Sequence, residues 1–215
     1  MAKNQNWQDD YWLLLMQLYL RKPVGVKPMY SRPLVELSLE LHIAPQELFA
    51  RMCEIANLET PRIERIWQDY SRNPKRLSRA VQLLRNMMGF GNAGHFYDGV
   101  EVEETFERDF RPLAEDNRLK PIMLVLILDL YFRLTPNTMV TETPEVQELA
   151  RLMKVPAQLV VDVLEVYQHC DPYLNRRDAI ISPLLQPCHQ IWQRYGNADV
   201  RQLASYAGQL KDYYK

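Results

Sequence analysis

A repeat held in register is the feature that most restricts how this chain can fold. Trp12-Leu13-Leu14-Leu15-Met16-Gln17-Leu18-Tyr19-Leu20-Arg21 returns as Met123-Leu124-Val125-Leu126-Ile127-Leu128-Asp129-Leu130-Tyr131-Phe132-Arg133, and Leu18, Tyr19 and Arg21 match Leu130, Tyr131 and Arg133 at an offset of 112. The same offset aligns Glu36-Leu37-Ser38 with Glu148-Leu149-Ala150, Leu41 with Met153, Ile43 with Val155 and Gln46 with Gln158. Further on, Ile66-Trp67-Gln68-Asp69-Tyr70 resembles Ile191-Trp192-Gln193-Arg194-Tyr195 at an offset of 125, which places an insertion near 171–187. Chance rarely keeps register that long, so the chain reads as a diverged duplication of one supersecondary block.

The block is helical. Its apolar residues recur at helical spacing, and the whole chain carries only 7 glycines against 30 leucines, a balance that disfavours a sandwich, a barrel or a Rossmann sheet. The expected fold class is all-α, with helices over about 7–21, 33–42, 45–57, 60–71 and 74–88, then 119–134, 144–154, 156–169, 184–195 and 198–213. Residues 1–90 form the first expected unit and 118–215 the second. The stretch 91–117, glycine-rich and then acidic, is the expected linker. Asp98-Gly99 between Phe96-Tyr97 and Val100-Glu101-Val102 could close a short β-hairpin there.

Within each unit about twenty residues, 34–57 and 146–168, carry a helix-turn-helix-like packing pattern. Leu37, Ser38, Leu41, Ile43, Leu48 and Met52 occupy its apolar positions in the first copy, and Leu149, Ala150, Met153, Val155, Val160 and Leu164 in the second. This resembles the broad trihelical helix-turn-helix superfamily, which implies a three-helix core and, in its DNA-binding members, a second helix that enters the major groove. The turn departs from that pattern, because the position often held by glycine is His42 in one copy and Lys154 in the other. Reading base edges needs Arg, Lys, Asn or Gln. The second helix of the later copy offers Gln158, Asp162 and Glu165, and the earlier one Gln46, Glu47, Arg51, Glu54 and Asn57. Carboxylates repel phosphate, so neither copy is expected to read bases. Met88-Gly89-Phe90-Gly91-Asn92-Ala93-Gly94-His95-Phe96 is also similar to the turn region of AraC-type regulators, but acids follow where bases should, and no function is carried over from it.

Net charge is −1, from 26 Lys plus Arg and 27 Asp plus Glu, so no global field draws the chain to nucleic acid or membranes. Locally the charge is segregated. Residues 62–85 hold Arg62, Arg65, Arg72, Lys75, Arg76, Arg79 and Arg85 against Glu64 and Asp69, whereas 98–116 hold eight acids against Arg108 and Arg111. On the helix opened by Asn73-Pro74, Leu77, Val81, Leu84 and Met88 make the expected buried stripe. Arg65, Arg72, Lys75, Arg76 and Arg79 are the candidate contacts for a nucleic-acid backbone or an acidic partner.

Chemistry is otherwise sparse. His169-Cys170 and Cys188-His189 form a mirrored pair that could in principle supply a zinc set, but adjacent ligands seldom face one metal, and the expectation is no metal. No phosphate-cradling glycine loop, zinc-protease motif or EF-hand loop occurs, and no cofactor, small-molecule ligand or enzymatic activity is expected. Three cysteines without regular spacing and a polar opening segment suit a reducing, cytoplasmic setting. The longest apolar run, Ile122 to Leu128, ends at Asp129, far short of the ~20 residues that span a bilayer. The two leucine-rich helices and the four tryptophans raise the expectation of a protein partner or a homodimer. The functional expectation is a non-enzymatic interaction or adaptor protein; a DNA-associated transcriptional regulator acting through the 62–85 face is the alternative.

Overall fold

The computed structural model describes residues 7–88, 90, 106–174 and 181–215. Contacts divide the chain into two compact units, Met1–Glu103 and Glu104–Lys215. The described residues are helical, and no strand occurs among them. The expected hairpin at Asp98-Gly99, most of the AraC-like run and the first part of the expected linker lie outside the described residues.

The first unit contains α1 (Tyr11–Leu20), α2 (Arg32–Leu41), α3 (Pro45–Asn57), α4 (Pro61–Tyr70) and α5 (Pro74–Arg85). The second contains α6 (Phe106–Phe110), α7 (Pro121–Tyr131), α8 (Pro144–Met153), α9 (Ala157–Cys170), α10 (Leu185–Tyr195) and α11 (Val200–Leu210), with single 3₁₀ turns at Pro136–Thr138 and Lys211–Tyr213. A chain with 14 prolines can be this helical because Pro45, Pro61, Pro74, Pro121 and Pro144 each sit at the first position of a helix, where no amide hydrogen is needed. Side-chain caps complete several starts. Thr60 accepts from the Ile63 amide, Asn73 from that of Arg76 and Asp199 from that of Arg201.

Each unit is built around its leucine-rich helix. In the first, α3, α4 and α5 pack on α1, and Leu14, Leu15 and Met16 are sealed from solvent. In the second, α8, α9, α10 and α11 pack on α7, every residue of which from Ile122 to Tyr131 is buried, including Asp129, whose carboxylate meets Arg133 one turn on at 2.9 Å. Trp12 and Trp192 are buried with these helices, whereas Trp7, Leu13, Leu20 and Trp67 are half-buried.

The offset of 112 reappears in the helix bounds: α2 and α8 are displaced by that number at both ends, and α3 and α9 at their starts. The turns agree in backbone as well. His42 has φ 55°, ψ 38° and Lys154 φ 60°, ψ 42°, so both non-glycine residues adopt the left-handed conformation that the glycine of this turn usually supplies. The next amides close the same ring, Ile43 N–H to Ser38 O at 3.1 Å and Val155 N–H to Ala150 O at 3.0 Å. Of the twelve positions expected to be apolar and packed, eleven are buried and Val155 is half-buried.

Two features differ from expectation. Met88 is fully exposed rather than part of the buried stripe, because α5 ends at Arg85 and the helical phase that carries Leu77, Val81 and Leu84 inward does not extend to it. Within the expected linker, 106–117 includes α6, which packs on α7. Its Phe110 is buried with the ring centroid 5.4 Å from that of Tyr213, and Asp109 receives both Arg194 guanidinium nitrogens at 2.9 Å.

Candidate anion-binding face of the first unit

The α4–α5 hairpin presents the charge. The amphipathic pattern of α5 turns Leu77, Val81 and Leu84 into the core of the unit and leaves Lys75, Arg76, Arg79 and Arg85 exposed. Arg72 is exposed in the turn before it, and Arg65 on α4. Of the seven cations in this stretch, two are neutralised locally. Arg62 lies 3.4 Å from Asp9 and 3.8 Å from Asp10, and Arg85 makes a two-pronged contact with Glu40 at 2.6 and 2.8 Å. Among the described residues no carboxylate lies within ion-pair distance of the other five, Arg65, Arg72, Lys75, Arg76 and Arg79. Asp69 interrupts the series on α4, so Arg72, Lys75, Arg76 and Arg79 form the continuous stretch and Arg65 stands apart.

Two observations show how these side chains are held. The Arg76 guanidinium sits 5.2 Å from the Tyr70 ring centroid, a cation–π contact that positions the arginine without neutralising it. Lys75 and Arg76 occupy the first turn of α5, where no acid is present, so their charges add to the positive end of the helix dipole. The result is a concentrated positive potential at one corner of the unit.

The second helices of the helix-turn-helix-like segments offer no comparable face. On α3, Gln46 donates to the Tyr30 hydroxyl at 2.7 Å, and the Arg51 guanidinium stacks 4.1 Å from the Trp7 ring while contacting Glu47 at 3.4 Å. Asn57 donates to Glu59, and burial raises the Glu54 carboxyl pKa above its usual value, an effect opposed by Arg51. On α9, Gln158 donates to Asp162 at 2.8 Å and Glu165 is exposed beside it. Their polar groups are either already engaged or acidic.

A groove of about 520 Å³ opens on the other side of α5, floored by Leu14, Leu18, Leu37 and Leu77 and bridged by the Glu40–Arg85 pair. It carries equal numbers of acidic and basic residues along its walls. The thiols and imidazoles of the second unit do not assemble a reactive centre. Cys188 is buried and His189 exposed on the same helix, whereas Cys170 and His169 are half-buried at the end of α9. Burial pushes the Cys170 thiol up to about 11 and the Cys188 thiol higher still, so both are protonated and weakly nucleophilic near neutrality. Among the described residues no group of three or more His, Cys, Asp or Glu is placed to hold a metal ion, and no helix is long and apolar enough to cross a membrane.

Sequence reasoning missed the apolar continuation of the cationic face, Leu83 and Met87, which are 69% and 61% exposed. The available signal was helical phase: Leu83 falls well off the Leu77–Val81–Leu84 stripe. Comparison of the chain with protein-family models, with curated proteins and with solved structures finds no match in any of the three.

Proposed function

We propose that this chain is a non-enzymatic interaction protein whose first unit docks an anionic partner on the α4–α5 face. One observation carries the reading: Arg72, Lys75, Arg76 and Arg79 are exposed together without a carboxylate within ion-pair distance among the described residues. A charged helix face that is merely solvated usually mixes signs, as in i,i+4 pairs. Here the two neighbouring cations, Arg62 and Arg85, do have acids beside them, and among the described residues the central four do not. Placing cations in the first turn of α5 also opposes its dipole, at about 0.3–1 kcal/mol each, a cost that an arriving anion would reverse.

A second reading, a DNA-associated regulator that grips the duplex backbone, draws on the same four residues, since phosphate contacts need only cations and carry no sequence information. The engaged or acidic faces of α3 and α9 count against base-specific readout in that reading. The matching helix bounds and turn conformations support descent of the two units from one duplicated block.

The test is binding of the full chain to polyanions, using labelled polyglutamate and mixed-sequence duplex DNA, followed by fluorescence anisotropy from about 30 to 300 mM salt. Arg76→Glu/Arg79→Glu is the variant. Binding of either probe that weakens with salt and is lost in the variant is the expected outcome. If neither probe binds at the lowest salt, or if the variant binds as tightly as the wild type, the anionic-partner reading is wrong.

A further inference from the structure

The cationic face of α5 runs directly into apolar surface. With Leu77, Val81 and Leu84 turned inward, Arg76, Arg79 and Leu83 follow one another at i, i+3 and i+7 and share one flank of the helix, and Met87 lies two residues beyond its end. The opposite flank carries Ser78 and Arg85 and lines the groove. Past the end of the helix the Asn86 amide bonds to Gln82 O and the Met87 amide closes a tighter turn on Leu84 O, so Met87 follows directly on the last turn of α5. Leu83 and Met87 are large, apolar and more than half exposed.

That sequence of chemistries selects among anionic partners. A nucleic-acid backbone satisfies Arg76 and Arg79 but offers no apolar surface to Leu83 and Met87. A purely acidic chain has the same deficiency. A partner that presents carboxylates at one end and aliphatic side chains at the other satisfies the whole flank. Resting on the anionic-partner reading above, the geometry points to an acidic amphipathic helix from a partner protein as the ligand of this flank. Its carboxylates lie against Arg76 and Arg79, with Arg72 at the margin, and its leucine-type side chains cover Leu83 and Met87. From Arg76 to the end of α5 the flank is about 14 Å long, matching about two to three turns of the ligand helix, with Met87 just beyond. The acidic end meets the first turn of α5, where the dipole adds to the attraction. The adaptable thioether of Met87 suits a surface that repacks against incoming aliphatic side chains.

The experiment compares three probes on the full chain by fluorescence anisotropy: a designed helical peptide of about 18 residues with glutamate and leucine on one face, polyglutamate of equal length, and duplex DNA. Two variants are used, Leu83→Ser/Met87→Ser and Arg76→Glu/Arg79→Glu, each checked by circular dichroism melting. Both pairs are exposed, so the fold is expected to survive. The peptide should bind at least about tenfold more tightly than polyglutamate. Leu83→Ser/Met87→Ser should erase that advantage, about a tenfold loss or more for the peptide, while polyglutamate and DNA change by less than about twofold. Arg76→Glu/Arg79→Glu should weaken all three. If the peptide binds no better than polyglutamate, or if Leu83→Ser/Met87→Ser leaves peptide binding unchanged, the amphipathic-helix partner is excluded, while salt-sensitive binding of polyglutamate or DNA would leave the anionic-partner reading standing. If none of the three probes binds, both proposals fall.

Discussion

Lys154→Gly should stabilise the second unit. Lys154 ends α8 with φ 60° and ψ 42°, a conformation in which a side chain crowds the backbone by about 1–2 kcal/mol and glycine does not. Glycine in turn costs about 0.4–1 kcal/mol through the greater freedom of the unfolded chain. The lysine side chain is exposed and has no ion pair among the described residues, so little else is lost. The difference is a gain of about 0.5–1 kcal/mol. The second unit contains about 110 residues, and at about 2.1 cal/mol/K per residue its unfolding entropy is about 0.23 kcal/mol/K, so the Tm of that unit should rise by about 2–4 °C. Differential scanning calorimetry reads the shift, with Lys154→Ala as the control that removes the side chain but keeps the strained backbone. The reasoning fails if Lys154→Gly lowers Tm, or if Lys154→Ala raises it equally. His42→Gly applies the same argument to the first unit, with a smaller gain because the half-buried His42 is engaged with its surroundings.

Gly196 follows α10, and a Cβ at this position would stand 2.7 Å from the Trp192 indole carbons. Gly196→Ala should therefore displace a buried ring and cost about 1–3 kcal/mol, visible as a lowered Tm and a shifted tryptophan emission; an unchanged melting curve would contradict this packing. The thiols of the second unit give a pH dependence. Cys170, at about 11, and Cys188 are raised above the ordinary thiol value of 9.0, so the unfolded chain releases these protons first as pH rises. Their contribution is complete below about pH 9 and declines through about pH 11, and denaturant unfolding of Cys188→Ala should show a shallower loss over that interval than the wild type. Equal slopes for the two proteins would rule out Cys188 as a source of the effect. Native alkylation at pH 8 should likewise leave Cys188 unmodified.

The ten long helices were legible because apolar periodicity runs along each, reinforced at five of them by a proline at the start. Helix α6 was not legible. Phe106–Phe110 is short, lies in an acidic run and has too few residues to show a period. What anchors it are contacts distant in sequence, Phe110 with Tyr213 and Asp109 with Arg194. The same limitation applies to the faces of α3 and α9. Their residue types were readable, but Gln46 meets Tyr30 and Arg51 meets Trp7 through tertiary packing, and those partners decide whether a polar group is still available. Met88 shows the opposite error, in which a period was carried beyond the residue where the helix stops.

Charge along the sequence located the candidate site but could not divide it. Seven cations between residues 62 and 85 look equivalent in sequence; the fold separates Arg62 and Arg85 from the rest by bringing Asp9, Asp10 and Glu40 to them from outside that stretch. What remains is concentrated at the N-terminal turn of α5, where helix stability alone would favour Asp or Glu. Acids are available elsewhere in the first unit and are used: Glu47 occupies the first turn of α3 and Glu64 that of α4. At the first turn of α5 cations without an ion pair among the described residues oppose the helix dipole, and a carboxylate arriving there would meet both attractions together. A local mismatch of this kind is expected at functional sites, and under the proposed reading the exposed Leu83 and, just past the helix end, Met87 supply the apolar part of the same surface.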